Sequence, residues 1–189
     1  MPPDAADPTI TQLLHRLAEG EEGALGRLFP KVYGELRRIA SGQKHRGPQA
    51  TLDTTALLHE VYLRFARSDR HVYRHREHFY AVAAKAMRQI LLDEAKRRLR
   101  LKRGAGVAPE TLDPERIRID QQAEMMIALD QGLAKLGRIQ DRARRVVEYR
   151  FFGGLTEEET ARALGVDTRT IRRDWAKARA WLAGELSSS

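Results

Sequence analysis

Apolar residues recur along this chain at three- and four-residue steps, the spacing that places side chains on one face of a helix. In the N-terminal half this spacing predicts four amphipathic helices, whose apolar stripes begin at Ile10, Leu25, Leu57 and Phe79. The polar stretch 41–50 separates the second helix from the third. No strand-like alternation and no internal repeat is visible in the sequence. The pattern therefore predicts an all-α fold.

The helical pattern is interrupted over residues 101–122 and resumes at Met126. The interrupted interval lacks a long apolar stripe and contains four residues that often break helices, namely Gly104, Gly106, Pro109 and Pro114. A segment of this composition is typical of a linker. We expect two small helical domains, at residues 1–100 and 123–189, joined by a flexible linker at residues 101–122.

The C-terminal domain carries a pattern that predicts two short helices joined by a tight turn. Thr156 and Glu159 have the spacing of a capping box, so the first helix begins there, and Gly165 ends it. Asp167 or Thr168 caps the second helix. The inward stripe of that helix is Ile171, Trp175, Ala178 and Leu182. This order is typical of a helix-turn-helix, which usually reads the DNA major groove. The candidate DNA contacts on its outward face are Arg169, Thr170, Arg172, Arg173 and Lys177.

The charge of the chain favours a polyanionic partner. Lysine and arginine outnumber acidic residues 34 to 26, which gives a formal net charge of +8, and such a surplus binds nucleic acid through counterion release. The N-terminal residues MPPDAADP lack the basic start and apolar core of a signal peptide. No apolar run approaches the roughly 20 residues of a membrane span. We therefore expect a cytoplasmic protein with no membrane partner.

The candidate metal and catalytic motifs are incomplete. His71, His75 and His78 have the helical spacing of a zinc site, but arginines crowd the segment and only Glu77 could complete it. The segment HEVYL at His59 lacks the second histidine of a metalloprotease helix. The chain has no cysteine, which excludes thiolate catalysis and cysteine-ligated zinc, and no glycine-rich phosphate loop is visible. We expect no enzyme activity, no metal and no cofactor.

The chain carries three informative segments in this order: ALLHEVYLRFA at residues 56–66, FYAVAAKAMRQILLDEAKRR at residues 79–98 and GLTEEETARALGVDTRTIRRDW at residues 154–175. Their order and spacing resemble the extracytoplasmic-function (ECF) group of bacterial sigma factors. The first looks like the helix that binds core RNA polymerase, the second is similar to the helix that engages the minus-ten promoter element, and the third is similar to the reader of the minus-thirty-five element. The resemblance implies an alternative sigma factor that binds core RNA polymerase and recognises and helps melt specific promoters. An anti-sigma factor is a further candidate partner, which the sequence leaves open.

The resemblance also assigns site residues in the N-terminal domain. The candidate polymerase contacts are Asp53, Leu57, His59, Glu60 and Arg64. Promoter melting requires aromatic surfaces for unstacked bases and basic side chains for the backbone, and Tyr73, Arg74 and Arg76 supply both. Phe79 begins an apolar stripe and is expected in the core. The basic run 96–103 is either a phosphate-contacting surface or a solvated helix end. Its first candidate contacts are Lys96, Arg97 and Arg98.

The stretch before the polymerase-binding helix is less acidic than in many members of the group, since Asp53 and Glu60 are its only acids. A phosphate on Thr51, Thr54 or Thr55 would add a charge of about −1.5 to −2 near a helix N-terminus. Some sigma groups resembling this one are thought to be regulated by serine/threonine kinases, so a kinase is a candidate partner. Thr51 is the first choice because it lies ahead of the helix, whereas Thr54 and Thr55 are candidate caps. The alternative is that all three threonines only cap and punctuate the turn.

Two positions in the second helix of the helix-turn-helix depart from the usual pattern of the group. Asp174 stands where relatives often carry a basic residue, and an aspartate there cannot hold phosphate but could accept a hydrogen bond from cytosine. Trp175 is bulkier than the usual aliphatic residue and is expected in the core. Two other classes of protein stay open. One is a helix-turn-helix transcriptional regulator with an N-terminal ligand-binding or dimerisation domain, and the other is an adaptor that binds kinase or polymerase without reading DNA.

Overall fold

The computed structural model describes residues 7–44, 53–68, 73, 75–104 and 114–187, and these residues form helices and connecting turns with no strand. The helices are α1 (Ile10–Ala18), α2 (Ala24–Lys44), α3 (Thr54–Ala66), α4 (Arg76–Gly104), α5 (Pro114–Ile139), α6 (Asp141–Val147), α7 (Glu157–Leu164) and α8 (Thr168–Ser187). A π-helical segment, Glu148–Phe152, continues α6 directly. The all-α prediction is confirmed for the described residues. None of their helices is both long and apolar enough to cross a membrane.

Short polar side chains fix the starts of two N-terminal helices. Thr9 and Gln12 form a capping box at the start of α1. The Asp53 carboxylate accepts a hydrogen bond from the Ala56 backbone N–H at 2.6 Å and caps α3. Thr54 and Thr55 are therefore the first residues inside the helix, and the prediction that they act as caps is wrong. Aspartate takes the cap position because its carboxylate reaches the N–H groups of the first turn and favours the positive end of the helix dipole.

The predicted apolar stripes of α1 to α4 meet in one interior. Leu13, Leu28, Leu57 and Met87 come from the four different helices and are fully buried. Phe79 is also fully buried, which confirms its predicted place in the core. Burying side chains of this size removes apolar surface from water and is the main favourable contribution to folding.

The segment predicted to be a linker is partly helical. Helix α4 continues to Gly104 and α5 begins at Pro114, so the second part of the expected linker belongs to α5, while residues 105–113 lie outside the described ones. Proline is favourable at the first position of a helix, where its missing N–H costs nothing, and Pro114 therefore starts a helix rather than breaking one. From α5, Ala123 packs against Ala95 and Leu99 of α4.

The two predicted domains pack directly against each other. One contiguous cluster of buried apolar side chains extends from α1–α4 into α5, the π-helical segment and α8. The buried Gln43 amide of α2 donates hydrogen bonds to the carbonyl oxygens of Ala84, at 3.0 Å, and Phe152, at 3.1 Å. On the surface, the Arg162 guanidinium of α7 donates to the Glu77 carboxylate at the start of α4, at 3.1 Å. Among the described residues, the largest cluster of buried apolar side chains is therefore shared by the two predicted domains.

Candidate nucleic-acid interface

The α7–α8 unit has the local structure that its sequence predicted. The Thr156 and Glu159 side chains accept hydrogen bonds from each other's backbone N–H, at 3.1 Å and 2.8 Å, and form the capping box of α7. Gly165 ends α7 with a φ of 67°, a conformation that favours glycine. Of the two candidate caps of α8, Asp167 takes the role, because its carboxylate accepts from the Thr170 backbone N–H at 2.7 Å. This hydrogen bond and one from the Thr170 hydroxyl lower the pKa of Asp167.

The cations predicted to contact DNA lie together on the surface of α8. Arg169, Arg172, Arg173 and Lys177 are exposed, and they stand opposite the buried Ile171, Ala178 and Leu182. The Arg172 guanidinium also donates to the Glu157 carboxylate at 2.5 Å. Thr170 is half-buried, and its hydroxyl donates to Asp167 at 2.9 Å. The face therefore offers four cations, whereas Thr170 serves the start of the helix.

Two residues of α8 behave differently from the simple inward stripe. Asp174 is only 1% exposed and its Oδ2 accepts a hydrogen bond from Arg142 Nε of α6 at 2.6 Å. It faces the interior, so the expectation that it could accept a hydrogen bond from cytosine is wrong. Trp175, predicted to fill core, is half-buried and packs against the core, and the Arg150 guanidinium lies 4.8 Å from its ring centroid. An ion pair across 32 residues of sequence gives no local signal, which is why sequence reasoning missed Arg142.

Tyr73 lies at the edge of the N-terminal core. Its ring centroid is 5.2 Å from that of Phe79 and 6.3 Å from that of Phe65. Burial raises the pKa of Tyr73 to about 12. Arg76 is exposed on the first turn of α4, whereas Arg74 lies outside the described residues.

A cleft of about 450 Å³ opens beside Tyr73, between α3 and α4. Phe65, Val82 and Ala86 form its apolar lining, and its polar lining is Arg64, Lys85, Gln89 and Asp93. The Gln89 amide donates to the Asp93 carboxylate at 2.9 Å. An apolar wall with a few polar groups is the usual composition of a ligand-binding cleft.

Three cations of the basic run at the end of α4 are paired with carboxylates. Arg98 and Lys102 both contact Asp120 of α5, at 2.8 Å and 2.9 Å, and Arg97 contacts Glu94 at 2.6 Å. Burial raises the pKa of Asp120, but hydrogen bonds from Lys102 and Arg98 outweigh it and the pKa is lowered. Lys96 is exposed. The sequence left open a phosphate-contacting surface or a solvated helix end. The structure adds a third interpretation, in which the run is a basic surface whose charge Asp120 of α5 partly neutralises.

Helix α3, which resembles the polymerase-binding helix, presents a smaller surface than expected. His59, Glu60 and Arg64 are exposed on it. Leu57 is fully buried, so it packs in the core and the structure does not present it as a surface contact. Among the candidate phosphorylation sites, Thr55 is exposed and Thr54 half-buried, while Thr51 lies outside the described residues.

The histidines near the start of α4 serve the helix. His75 Nδ1 accepts a hydrogen bond from the His78 backbone N–H at 3.1 Å, which satisfies a donor of the first turn. His71 lies outside the described residues. The described residues include no group of three or more His, Asp or Glu side chains that could hold a metal ion.

Comparison with known proteins identifies the family of almost the whole chain. A family model described as ECF sigma factor matches residues 7–188. No curated protein and no solved structure matches the sequence. The matched region includes α3, α4 and the α7–α8 unit, the three parts on which the resemblance depends. The chain belongs to the ECF sigma factor family.

Proposed function

We propose that this sigma factor binds core RNA polymerase through α3, reads the minus-thirty-five element through α8 and helps melt the minus-ten element beside α4. The polymerase carries out catalysis, and the sigma factor acts with it in the cytoplasm. The observation that carries the proposal is the exposed face of α8, where four cations lie along a helix whose start is fixed by Asp167. Such a face suits the major groove, because arginine and lysine hold phosphates and recognise guanine edges.

The reading of DNA by α8 can be tested with polymerase loaded with the full chain. Promoters are selected from a random DNA pool, and the affinity of the selected duplex is measured for Arg169→Ala and Arg173→Ala variants. We expect each loss to weaken binding by about 1–3 kcal/mol where the arginine contacts a base, with relaxed preference at that position. Lys31→Ala, at an exposed position of α2, is the control. If neither arginine variant changes affinity or preference, α8 is not the reader.

The cleft between α3 and α4 supports a role in melting. Its apolar wall, with Tyr73 and Phe65, can stack on an unpaired base while Gln89, Lys85 and Arg64 lie within the same cleft. We expect Tyr73→Ala to reduce affinity for the single strand of the selected minus-ten element by about 1–3 kcal/mol, the usual contribution of one stacked base. Tyr73→Phe keeps the ring and should retain affinity. Equal losses in the two variants would assign the effect to the hydroxyl instead.

We further propose that a threonine before α3 is phosphorylated. Asp53 holds the helix cap, so the threonine hydroxyls are not needed there, and a phosphate near this helix start would add the negative charge that the stretch lacks. The test compares the affinity of core RNA polymerase for the unmodified chain and for the chain with phosphate at Thr51, at one stated salt concentration. Thr55→Ala is the matched control.

Three outcomes separate the hypotheses. Tight binding only with phosphate at Thr51 supports a kinase-dependent sigma factor. Equally tight binding of both forms keeps the sigma assignment and removes the switch at Thr51. Affinity for promoter DNA with none for polymerase in either form would favour a helix-turn-helix regulator of the ordinary kind.

A further inference from the structure

Arg142 stands beside the DNA-facing surface of α8 although it belongs to a different helix. It is the second residue of α6, and its side chain is 44% exposed. It lines an open cleft of about 930 Å³ together with Arg162, Thr170 and Arg173, and Glu158 and Asp167 also line this cleft. Thr170 and Arg173 belong to the candidate DNA-contacting face, so this cleft is continuous with that face. Arg142 was not among the residues that the sequence assigned to DNA.

The geometry of the Arg142–Asp174 pair leaves most of the guanidinium unused. Arginine has five N–H donors, and Nε donates to Asp174 Oδ2 at 2.6 Å. No other hydrogen bond joins Arg142 to the described residues, and its side chain is partly exposed and lines the cleft. A guanidinium held at Nε can direct both terminal nitrogens at one anion, as arginine does when it binds phosphate.

Asp174 is a buried carboxylate that lowers the stability of the fold unless other groups compensate its charge. Its side chain is 1% exposed, and its Oδ1 has no hydrogen-bond partner among the described residues. The next cation, Arg173 Nε, is 3.9 Å from that atom. Burying a carboxylate with one oxygen unsatisfied is unfavourable, so the contact with Arg142 is the main compensation that the fold provides. The carboxylate in turn fixes where the Arg142 side chain can lie.

We propose that Arg142 contacts a DNA backbone phosphate next to the groove that α8 reads, and that Asp174 is the positioning residue that holds it there. This inference rests on the proposed function, because it requires α8 to face DNA. It extends the interface from α8 to α6 and gives the buried Asp174 a task in binding.

The experiment measures how the affinity of the full chain for a duplex of about 30 base pairs and mixed sequence depends on salt, since each phosphate contact adds about 0.9 to the slope. The key comparison is between Asp174→Asn and the double variant Arg142→Gln with Asp174→Asn. Neither leaves an unpaired buried carboxylate, so both are expected to fold, and circular dichroism checks this. Only the double variant lacks the Arg142 charge.

We expect Asp174→Asn to keep the wild-type slope with an affinity reduced a few-fold, because Arg142 stays charged but is held less firmly. The double variant should lose about one unit of slope and weaken binding equally on duplexes of different sequence. Arg173→Ala is the reference for the proposed function and should weaken binding to the duplex, because it removes a cation from the exposed face of α8. An unchanged slope in the double variant with a loss in Arg173→Ala overturns the inference alone. No loss in either variant overturns both the inference and the proposed role of α8.

Discussion

Two carboxylates are almost fully buried among the described residues, and their surroundings differ. Glu148, where α6 continues into the π-helical segment, is 4% exposed and accepts hydrogen bonds from Arg144 at 2.7 Å and Arg88 at 3.3 Å. Asp174 in α8 is 1% exposed and accepts one, from Arg142. Arg88 is itself buried and also donates to Asp130 of α5, at 2.7 Å. Arg142, in contrast, is half-exposed.

In the first site the cation, Arg88, is buried together with its carboxylate, whereas in the second the cation, Arg142, remains accessible to solvent. At the junction between the two halves, Arg88 spends its terminal nitrogens on Asp130 and Glu148, and its guanidinium lies 5.2 Å from the Phe152 ring centroid. That cation is buried, and both of its terminal nitrogens are already paired with carboxylates. At the α6–α8 contact, the carboxylate is enclosed but the cation reaches the surface. A buried ion pair usually contributes nothing to stability, or lowers it, compared with apolar residues of similar volume. An exposed cation in such a pair can still bind an anion, whereas a buried cation cannot.

The largest effect is expected at the junction. Arg88→Ala removes the cation from two carboxylates at once and leaves Glu148 buried with Arg144 alone, so we expect a loss of about 3–5 kcal/mol in the free energy of unfolding. Urea unfolding followed by circular dichroism measures it. Lys85→Ala, an exposed residue one turn earlier in α4, is the control and should change stability by less than about 0.5 kcal/mol. A similarly small loss for Arg88→Ala would show that the junction charge is not structural.

Replacing Asp174 should destabilise the protein less than replacing Arg88. In Asp174→Ala the remaining partner, Arg142, is half-exposed and water can take up its lost hydrogen bond, so we expect a loss of about 1–2 kcal/mol. The measurement is the same urea unfolding transition, with Asp174→Asn as the isosteric companion. If Asp174→Ala destabilises the protein as much as Arg88→Ala, the exposure of the cation does not determine how much each pair contributes to stability.

The sequence predicted what depends on near neighbours. The caps of α7 and α8 and the end of α7 at Gly165 involve residues three or four positions apart, and all three predictions are confirmed. The inward stripe of α8 follows from helical periodicity in the same way. Local chemistry is sufficient at these sites because the partners are fixed by the helix itself.

The parts that failed depend on distant partners or on context. Arg88 and Glu148 are 60 residues apart, and nothing near either one indicates that they meet. Asp174 looks like an outward polar residue until its partner on α6 is known. Pro114 was interpreted as a break because proline disrupts the interior of a helix, whereas the first position accepts it. Sequence periodicity defined the helices but not how the two halves share a core.

A smaller effect is expected from the cap of α7, which belongs to the same region as Asp174 but involves no buried charge. Thr156→Ala removes the side-chain acceptor of the Glu159 N–H, and we expect a loss of about 1 kcal/mol in stability. Thr156→Ser keeps the acceptor and should be close to wild type in the same urea unfolding experiment. A loss for serine equal to that for alanine would assign the effect to the threonine methyl group rather than to capping.

The smallest effect is expected at Asp120, which joins α5 to Arg98 and Lys102 of α4. Both cations are partly exposed to solvent, so this ion pair is less buried than those of Glu148 and Asp174. The pKa of Asp120 is lowered in the folded protein. Its stabilising contribution is therefore present above the ordinary aspartate pKa of about 3.9 and is lost as the pH falls through the lower folded value. We expect Asp120→Asn to destabilise the protein by less than about 1 kcal/mol near pH 7 and to be indistinguishable from wild type in acid, as measured by urea unfolding across that range. A difference that persists below the folded pKa would mean that packing of the α4–α5 contact, rather than its charge, is what the substitution disturbs.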